Sequence, residues 1–153
     1  MMDIVRPYRP SDEAGCLFLF DANTPAFFSP TERQDFQEFL VAHAFAWRYQ
    51  VIEREGRIVA CGGHALGKDG VSAEFCWGMV APDLHRQGLG RRLTEARLQA
   101  ARSVPAIGCI RLDTSQHTQG FYARFGFRTE RIVPDGYDVG LHRWEMILDL
   151  QSA

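Results

Sequence analysis

A strand that ends at Val80, a short loop, and two glycines that open a helix at Gly88-Leu89-Gly90 constrain this chain more than any other feature. Residues 71–80 alternate as a strand does, and Pro82 ends them. Residues 88–102 read as a helix whose apolar face carries Leu89, Leu93, Ala96 and Ala100. Pro105 stops it, and residues 107–114 read as the next strand. A strand–helix–strand unit of this kind closes as a right-handed crossover between two parallel strands.

The flanking segments predict the rest of the sheet. Residues 3–6 read as a strand. Pro10-Ser11-Asp12-Glu13 opens a helix with Ser11 as its N-cap, and Asn23-Thr24-Pro25 breaks it. Ser29-Pro30-Thr31-Glu32 is a capping box before a second helix, with Phe36, Phe39, Leu40 and Phe45 as its apolar face. Residues 49–53 and 57–61 flank Glu55-Gly56 as a hairpin, and Lys68-Asp69-Gly70 turns into the strand that ends at Val80. A short helix over 118–125 closes at Gly126. Two last strands, 127–133 and 142–150, surround a turn at Pro134-Asp135-Gly136. The order is that of one mixed α/β (α+β) domain over residues 1–153, with a mainly antiparallel sheet and helices packed on it.

With 153 residues, 46% of them hydrophobic, the chain can bury a core. Its net charge of −2 argues against a nucleic-acid partner, which calls for basic stripes. Its uncharged apolar runs are far shorter than the roughly 20 residues that span a membrane, and MMDIVRPYRP has no apolar leader segment; a cytoplasmic protein is the expectation. Cys16, Cys61, Cys76 and Cys109 form no C-x-x-C pair and sit among apolar or small neighbours, which predicts reduced core thiols and no metal site.

The glycine-opened helix is an anion site in waiting. The first N–H groups of a helix lack internal partners, the dipole puts partial positive charge there, and glycines let a diphosphate approach. Arg91 and Arg92 in the first turn oppose that dipole unless a polyanion docks, and Arg86 adds a third cation. The alternative is a solvated helix start with surface arginines. A P-loop is absent, and Leu93 stands where a dinucleotide fingerprint needs its third glycine.

His85-Arg86-Gln87-Gly88-Leu89-Gly90 resembles motif A, [Q/R]-x-x-G-x-[G/A], of the GNAT superfamily of acetyl-CoA-dependent N-acetyltransferases, with His85 where the pattern has Gln or Arg. Gly120-Phe121-Tyr122-Ala123-Arg124-Phe125-Gly126-Phe127 resembles its motif B, F-Y-x-x-x-G-F. The resemblance implies a three-layer fold with a six- to seven-stranded sheet and helices on both faces. It also implies acetyl-CoA as co-substrate, no metal, and direct transfer to an amine. A small-molecule amine is the expected acceptor; a protein N-terminus or lysine, and a coenzyme-binding sensor without turnover, are the alternatives.

Roles follow from the same resemblance. Tyr122 matches the general acid toward the coenzyme sulfur; a core tyrosine beside Phe121 and Phe125 is the other reading. Glu74 is the candidate base, on one strand face with Cys76, Gly78 and Val80, while Phe75, Trp77 and Met79 take the other. Met79 and Val80 hold the pantetheine arm through their backbone, as an added strand would be held. His85, Arg86, Gln87, Gly88, Leu89, Gly90, Arg91 and Arg92 make the diphosphate cradle, and Ser115 lies where relatives contact the coenzyme. Phe27 and Phe28 either border the acceptor cleft or staple the second helix. Tyr137 and His142, in the last loop, are candidates to touch substrate. An exposed last strand is able to pair two subunits as a homodimer.

Overall fold

The computed structural model describes residues 2–150. In chain order they form β1 (Asp3–Pro7), α1 (Glu13–Ala22), α2 (Arg33–Ala42), β2 (Gln50–Arg54), β3 (Arg57–Leu66), β4 (Ser72–Val80), α3 (Leu89–Arg102), β5 (Cys109–Thr114), α4 (Gln119–Ala123), β6 (Arg128–Asp138) and β7 (Leu141–Asp149). Seven strands make one mixed sheet in the order β1-β2-β3-β4-β5-β7-β6. Only β4 and β5 run parallel, joined by the α3 crossover; every other neighbouring pair is antiparallel.

Apolar side chains of α1 and α2 (Leu19, Phe20, Phe36, Phe39) pack with Val51, Cys61 and Met79 on one face of the sheet. On the other face α3 supplies Leu89 and Leu93 against Ile52 and Val59, and Leu98 and Ala101 against Ala73, Phe75 and Ile110. Three layers result, with helices on both faces.

The capping box at Ser29 forms as read: its hydroxyl accepts the Thr31 N–H, and Glu32 accepts the Ser29 N–H at 2.9 Å. Ser11 does not cap the first helix. Asp12 stands at the N-cap position instead, but its side chain caps no N–H of α1; it reaches back to accept the Arg9 N–H at 2.8 Å while Arg6 grips both its oxygens at 2.8 Å. Phe45 lies beyond α2 and is almost wholly exposed. Glu55 (φ 50°) and Gly56 (φ 80°) both take left-handed conformations, as a tight two-residue hairpin turn demands.

Two expected patterns change. Pro134-Asp135-Gly136 is no turn: β6 bulges there and runs on to Asp138 before turning at Val139-Gly140. Gly136 allows it, because a Cβ there would fall 2.6 Å from that of Arg143. The last strand, β7, lies inside the sheet between β5 and β6, so the edge left beside it is β6. On α3 the buried face is Leu89, Leu93, Thr94, Arg97, Leu98 and Ala101, whereas Ala96 and Ala100 are half-buried.

Candidate active site

Three residue pairs join β4 to β5: Ser72 to Cys109, Ala73 to Ile110 and Glu74 to Arg111. Beyond Glu74 the two strands part, which leaves the rest of β4 without a partner on that side. The gap is a cleft of about 1420 Å³ that reaches from the start of α3, past α4, to the bulge of β6.

A bulge shapes the β4 wall. Cys61 pairs with Met79 and Gly63 with Cys76, so Gly62 faces both Trp77 and Gly78, and Trp77 takes a positive φ of 44°. The strict alternation expected along β4 therefore fails. Cys76, Trp77 and Met79 all pack toward α1 and α2, with Glu74 on that same face, while Phe75, Gly78 and Val80 point toward α3.

At the end of β4 the Ala81 N–H bonds back to Val59 of β3, so the polar groups of Val80 point the other way, into the gap. The Val80 carbonyl is already taken, by Asn23 Nδ2 at 3.1 Å and His85 Nε2 at 3.3 Å. Asn23 is buried and also donates to the Leu19 carbonyl at 2.8 Å. His85 is thereby turned toward the strand end and packs edge-on against Phe27, 5.5 Å away.

Gly88 stands at the N-cap of α3 with a φ of 82°, and among the described residues no side chain caps the helix. The first helical bond is the Arg92 N–H to the Gly88 carbonyl, which leaves the preceding N–H groups of the turn facing the cleft mouth. Arg86, at a φ of 68°, and Arg91 line that mouth with Gly88, Leu89 and Gly90. Arg91 also pairs with Glu95 at 2.8 Å. The donors, dipole and cations suit a diphosphate.

Deeper in, Tyr122 of α4 presents its hydroxyl to the cleft, where it accepts a hydrogen bond from Arg97 Nη2 at 3.1 Å. The far wall is acidic and aromatic: Glu74, Asp113, Glu145, Glu32, Phe28, Trp77 and Tyr137. Asp113 is open to solvent, yet the cleft walls strip enough water to push its carboxyl above the ordinary range, and Glu145 and Glu74 add to that against Arg143. Burial likewise pushes up the Glu32 carboxyl and the Tyr137 phenol. Phe28 stacks on Trp77, ring centroids 6.1 Å apart, and packs on Phe20 at 5.2 Å while lining the cleft.

The cleft gathers Phe27, Phe28, Glu74, Met79, Val80, His85, Arg86, Gly88, Leu89, Gly90, Arg91, Ser115, Tyr122 and Tyr137 from the sequence candidates. Three others lie outside it. Gln87 accepts from Arg54 at 3.2 Å; Arg92 turns back toward Asp3, 4.0 Å away; and His142 accepts the Asp135 N–H at 2.9 Å, held in the β6 bulge. Ser115 is buried and receives the His117 N–H, so it organises the approach to α4. Sequence reading missed Arg97, Asn23, Asp113 and Glu145. The signal for Arg97 was its place in the row Leu89, Leu93, Arg97, Ala101, one helical repeat apart.

A family model for an acetyltransferase (GNAT) domain matches residues 44–129. No curated protein matches the chain. Among solved structures, a protein of the GNAT family from Desulfovibrio desulfuricans superposes with a TM-score of 0.79 at 22% identity, covering 97% of this chain and 99% of its own. The ribosomal-protein-S18-alanine N-acetyltransferase of Escherichia coli gives 0.81 at 18%, covering 99% and 96%. An aminoglycoside 6'-N-acetyltransferase complexed with coenzyme A gives 0.76 at 12%, covering 98% of both chains. With a matching family model across more than half its length and the same fold in these neighbours, the chain belongs to the GNAT family of acetyltransferases.

Proposed function

We propose that this protein transfers the acetyl group of acetyl-CoA directly to a cationic small-molecule amine, within one ternary complex and in a single domain. One observation carries the reading: the unpaired half of β4, the uncapped start of α3 and the Tyr122 hydroxyl all open on one cleft.

The division of labour follows from chemistry. The free N–H groups at Gly88 to Arg91, with Arg86 and Arg91, bind the diphosphate. The Val80 N–H offers pantetheine a strand-like bond, and Met79, turned toward α1, fixes the strand end. The amine attacks the thioester carbonyl, the C–S bond breaks, and the electron pair goes to sulfur, which takes the Tyr122 proton. Glu74, at the point where β4 and β5 part, accepts the proton that the attacking nitrogen sheds, directly or through water. Phe28, Trp77 and Tyr137 hold the acceptor's apolar part, and the carboxylates of Glu74, Asp113 and Glu145 favour a positively charged one. The aminoglycoside-modifying neighbour and the ribosomal-protein-modifying neighbour bear names with acceptors of both kinds, so the choice rests on this wall. Four free thiols fit a reducing compartment such as the cytoplasm.

The test is a thiol-release screen. Polycationic small amines and short peptides with free N-termini are offered with acetyl-CoA, and the wild type is compared with Tyr122→Phe. Release with cationic small amines, reduced about 100-fold by Tyr122→Phe, is expected. Release with peptides alone would overturn the acceptor, and wild-type rates in Tyr122→Phe would remove the acid.

A further inference from the structure

Arg97 is the largest fully buried side chain among the described residues, 1% exposed in the middle of α3. None of those residues forms an ion pair with it, and its Nε has no hydrogen-bond partner. Burying an uncompensated guanidinium costs several kcal/mol in principle, so a chain that keeps one has built a place for it.

That place is a slot made by missing side chains. A Cβ on Gly62 of β3 would come within 3.1 Å of Arg97 Nη1, and one on Gly78 of β4 within 3.1 Å of both Nη1 and Nη2. Those two glycines oppose each other at the β4 bulge. The guanidinium carbon lies 4.2 Å over the ring of Phe75, which contributes cation–π attraction. Among the described residues, the one hydrogen bond leaving the slot is that from Nη2 to the Tyr122 oxygen.

We propose that Arg97 is a positioning residue for Tyr122, one that aims its phenolic hydrogen at the leaving sulfur and balances the phenolate left behind. The inference rests on the acid role proposed for Tyr122. Direction follows from donor chemistry: a guanidinium only donates, so the phenol oxygen accepts from it, and the phenol's own hydrogen turns away from Arg97 into the cleft. As the C–S bond breaks, the Tyr122 O–H bond breaks and an S–H bond forms. The electron pair of the O–H bond stays on oxygen beside the fixed charge of the buried Arg97, until solvent returns the proton. Among the described residues, the other titratable group on the guanidinium's side of the sheet is His64 of β3, whose pKa burial lowers to about 4 so that it is neutral; Cys76 of β4 lies on the opposite face, and burial pushes its thiol up to about 12. Neither supplies a counter-charge, which leaves the anion formed during turnover as the partner of Arg97.

The experiment is a double-mutant cycle on the full chain: wild type, Arg97→Met, Tyr122→Phe and both together, with Arg97→Lys as the charge-keeping variant. Thiol release gives kcat and KM, and calorimetry gives the coenzyme A dissociation constant. Met fills the slot without charge and is expected to leave the fold and coenzyme affinity in place, within about twofold. The expected result is a kcat loss of about tenfold or more in Arg97→Met, partial recovery in Arg97→Lys, and no further loss when Arg97→Met is added to Tyr122→Phe. A kcat unchanged by Arg97→Met, or an equal loss in the Tyr122→Phe background, overturns the proposal while the acid role stands. Wild-type kcat in Tyr122→Phe overturns both, and is told apart by that single variant. Arg97→Gln, also without charge, carries the same cycle where Arg97→Met fails to fold.

Discussion

Asn23 Nδ2 donates to the Val80 carbonyl across 3.1 Å, tying the end of α1 to the end of β4 at the point where the cleft begins. The same side chain holds the Leu19 carbonyl, and its backbone carbonyl takes the Phe27 N–H at 2.9 Å. Asn23→Ala removes one donor from each of two carbonyls, leaving Leu19 with the residue-23 backbone N–H at 3.1 Å and Val80 with His85 Nε2 at 3.3 Å. Stability should fall by about 1–2 kcal/mol, a midpoint drop of a few degrees in thermal unfolding. Thr24→Ala, which removes a half-exposed bond to the Asp21 carbonyl, is the control and should move the midpoint far less.

Glycines sort by what a methyl group would meet. Gly78→Ala puts its Cβ 3.1 Å from the Arg97 guanidinium and 3.3 Å from the Tyr122 oxygen, so turnover should fall sharply. Gly88→Ala meets no atom, but its φ of 82° costs an alanine about 1–2 kcal/mol and should loosen the diphosphate cradle. Gly120→Ala, in α4 with open space around it, should be neutral or slightly stabilising. Kinetics and thermal melts on the three variants check the ranking.

Asp113 links stability to pH in a predictable sense. Desolvation first, and Glu145 next, raise its folded-state pKa above the unfolded value. The charged form is therefore penalised in the folded protein, a cost present above the folded pKa and gone below the unfolded one. Asp113→Asn should raise the unfolding midpoint at pH 7–8 and lose that gain as pH falls toward 4. Its KM for a cationic amine should rise at the same time. Thermal melts across pH, beside amine kinetics, test both halves.

Neighbouring arginines should behave differently. Arg91 lines the cleft mouth, whereas Arg92 points back to Asp3. Arg91→Ala should weaken coenzyme A binding several-fold, about 1 kcal/mol, and flatten its salt dependence. Arg92→Ala should leave binding near wild type. Calorimetric titration at two ionic strengths distinguishes them.

The strand order around α3, the capping box at Ser29 and the hairpin at Glu55-Gly56 were legible in the sequence because each is set by residues close in the chain. What was not legible came from distant pieces meeting. The β4 bulge moved Trp77 beside Cys76 and Met79, and its cause is the register against Gly62, which alternation within β4 does not contain. Gln87 and Arg92 sit within the glycine-rich segment yet turn toward Arg54 and Asp3, partners more than thirty positions away. Arg97 was hidden by its residue type, since an arginine reads as surface, although its spacing from Leu89 and Leu93 put it on the buried face. His142 looked like a substrate contact in a loop, but β6 continues past Pro134 and uses it to hold the bulge.

The most direct measurement is thermal unfolding of the protein with and without acetyl-CoA. A ligand at 100 times its dissociation constant stabilises by about 2.7 kcal/mol, which for a chain of this size raises the midpoint by roughly 5–10 °C. A rise of that order, diminished in Gly88→Ala and Arg91→Ala and retained in Arg92→Ala, is expected. An unchanged midpoint at saturating acetyl-CoA would contradict the assignment of the cleft between β4 and β5 as the coenzyme site.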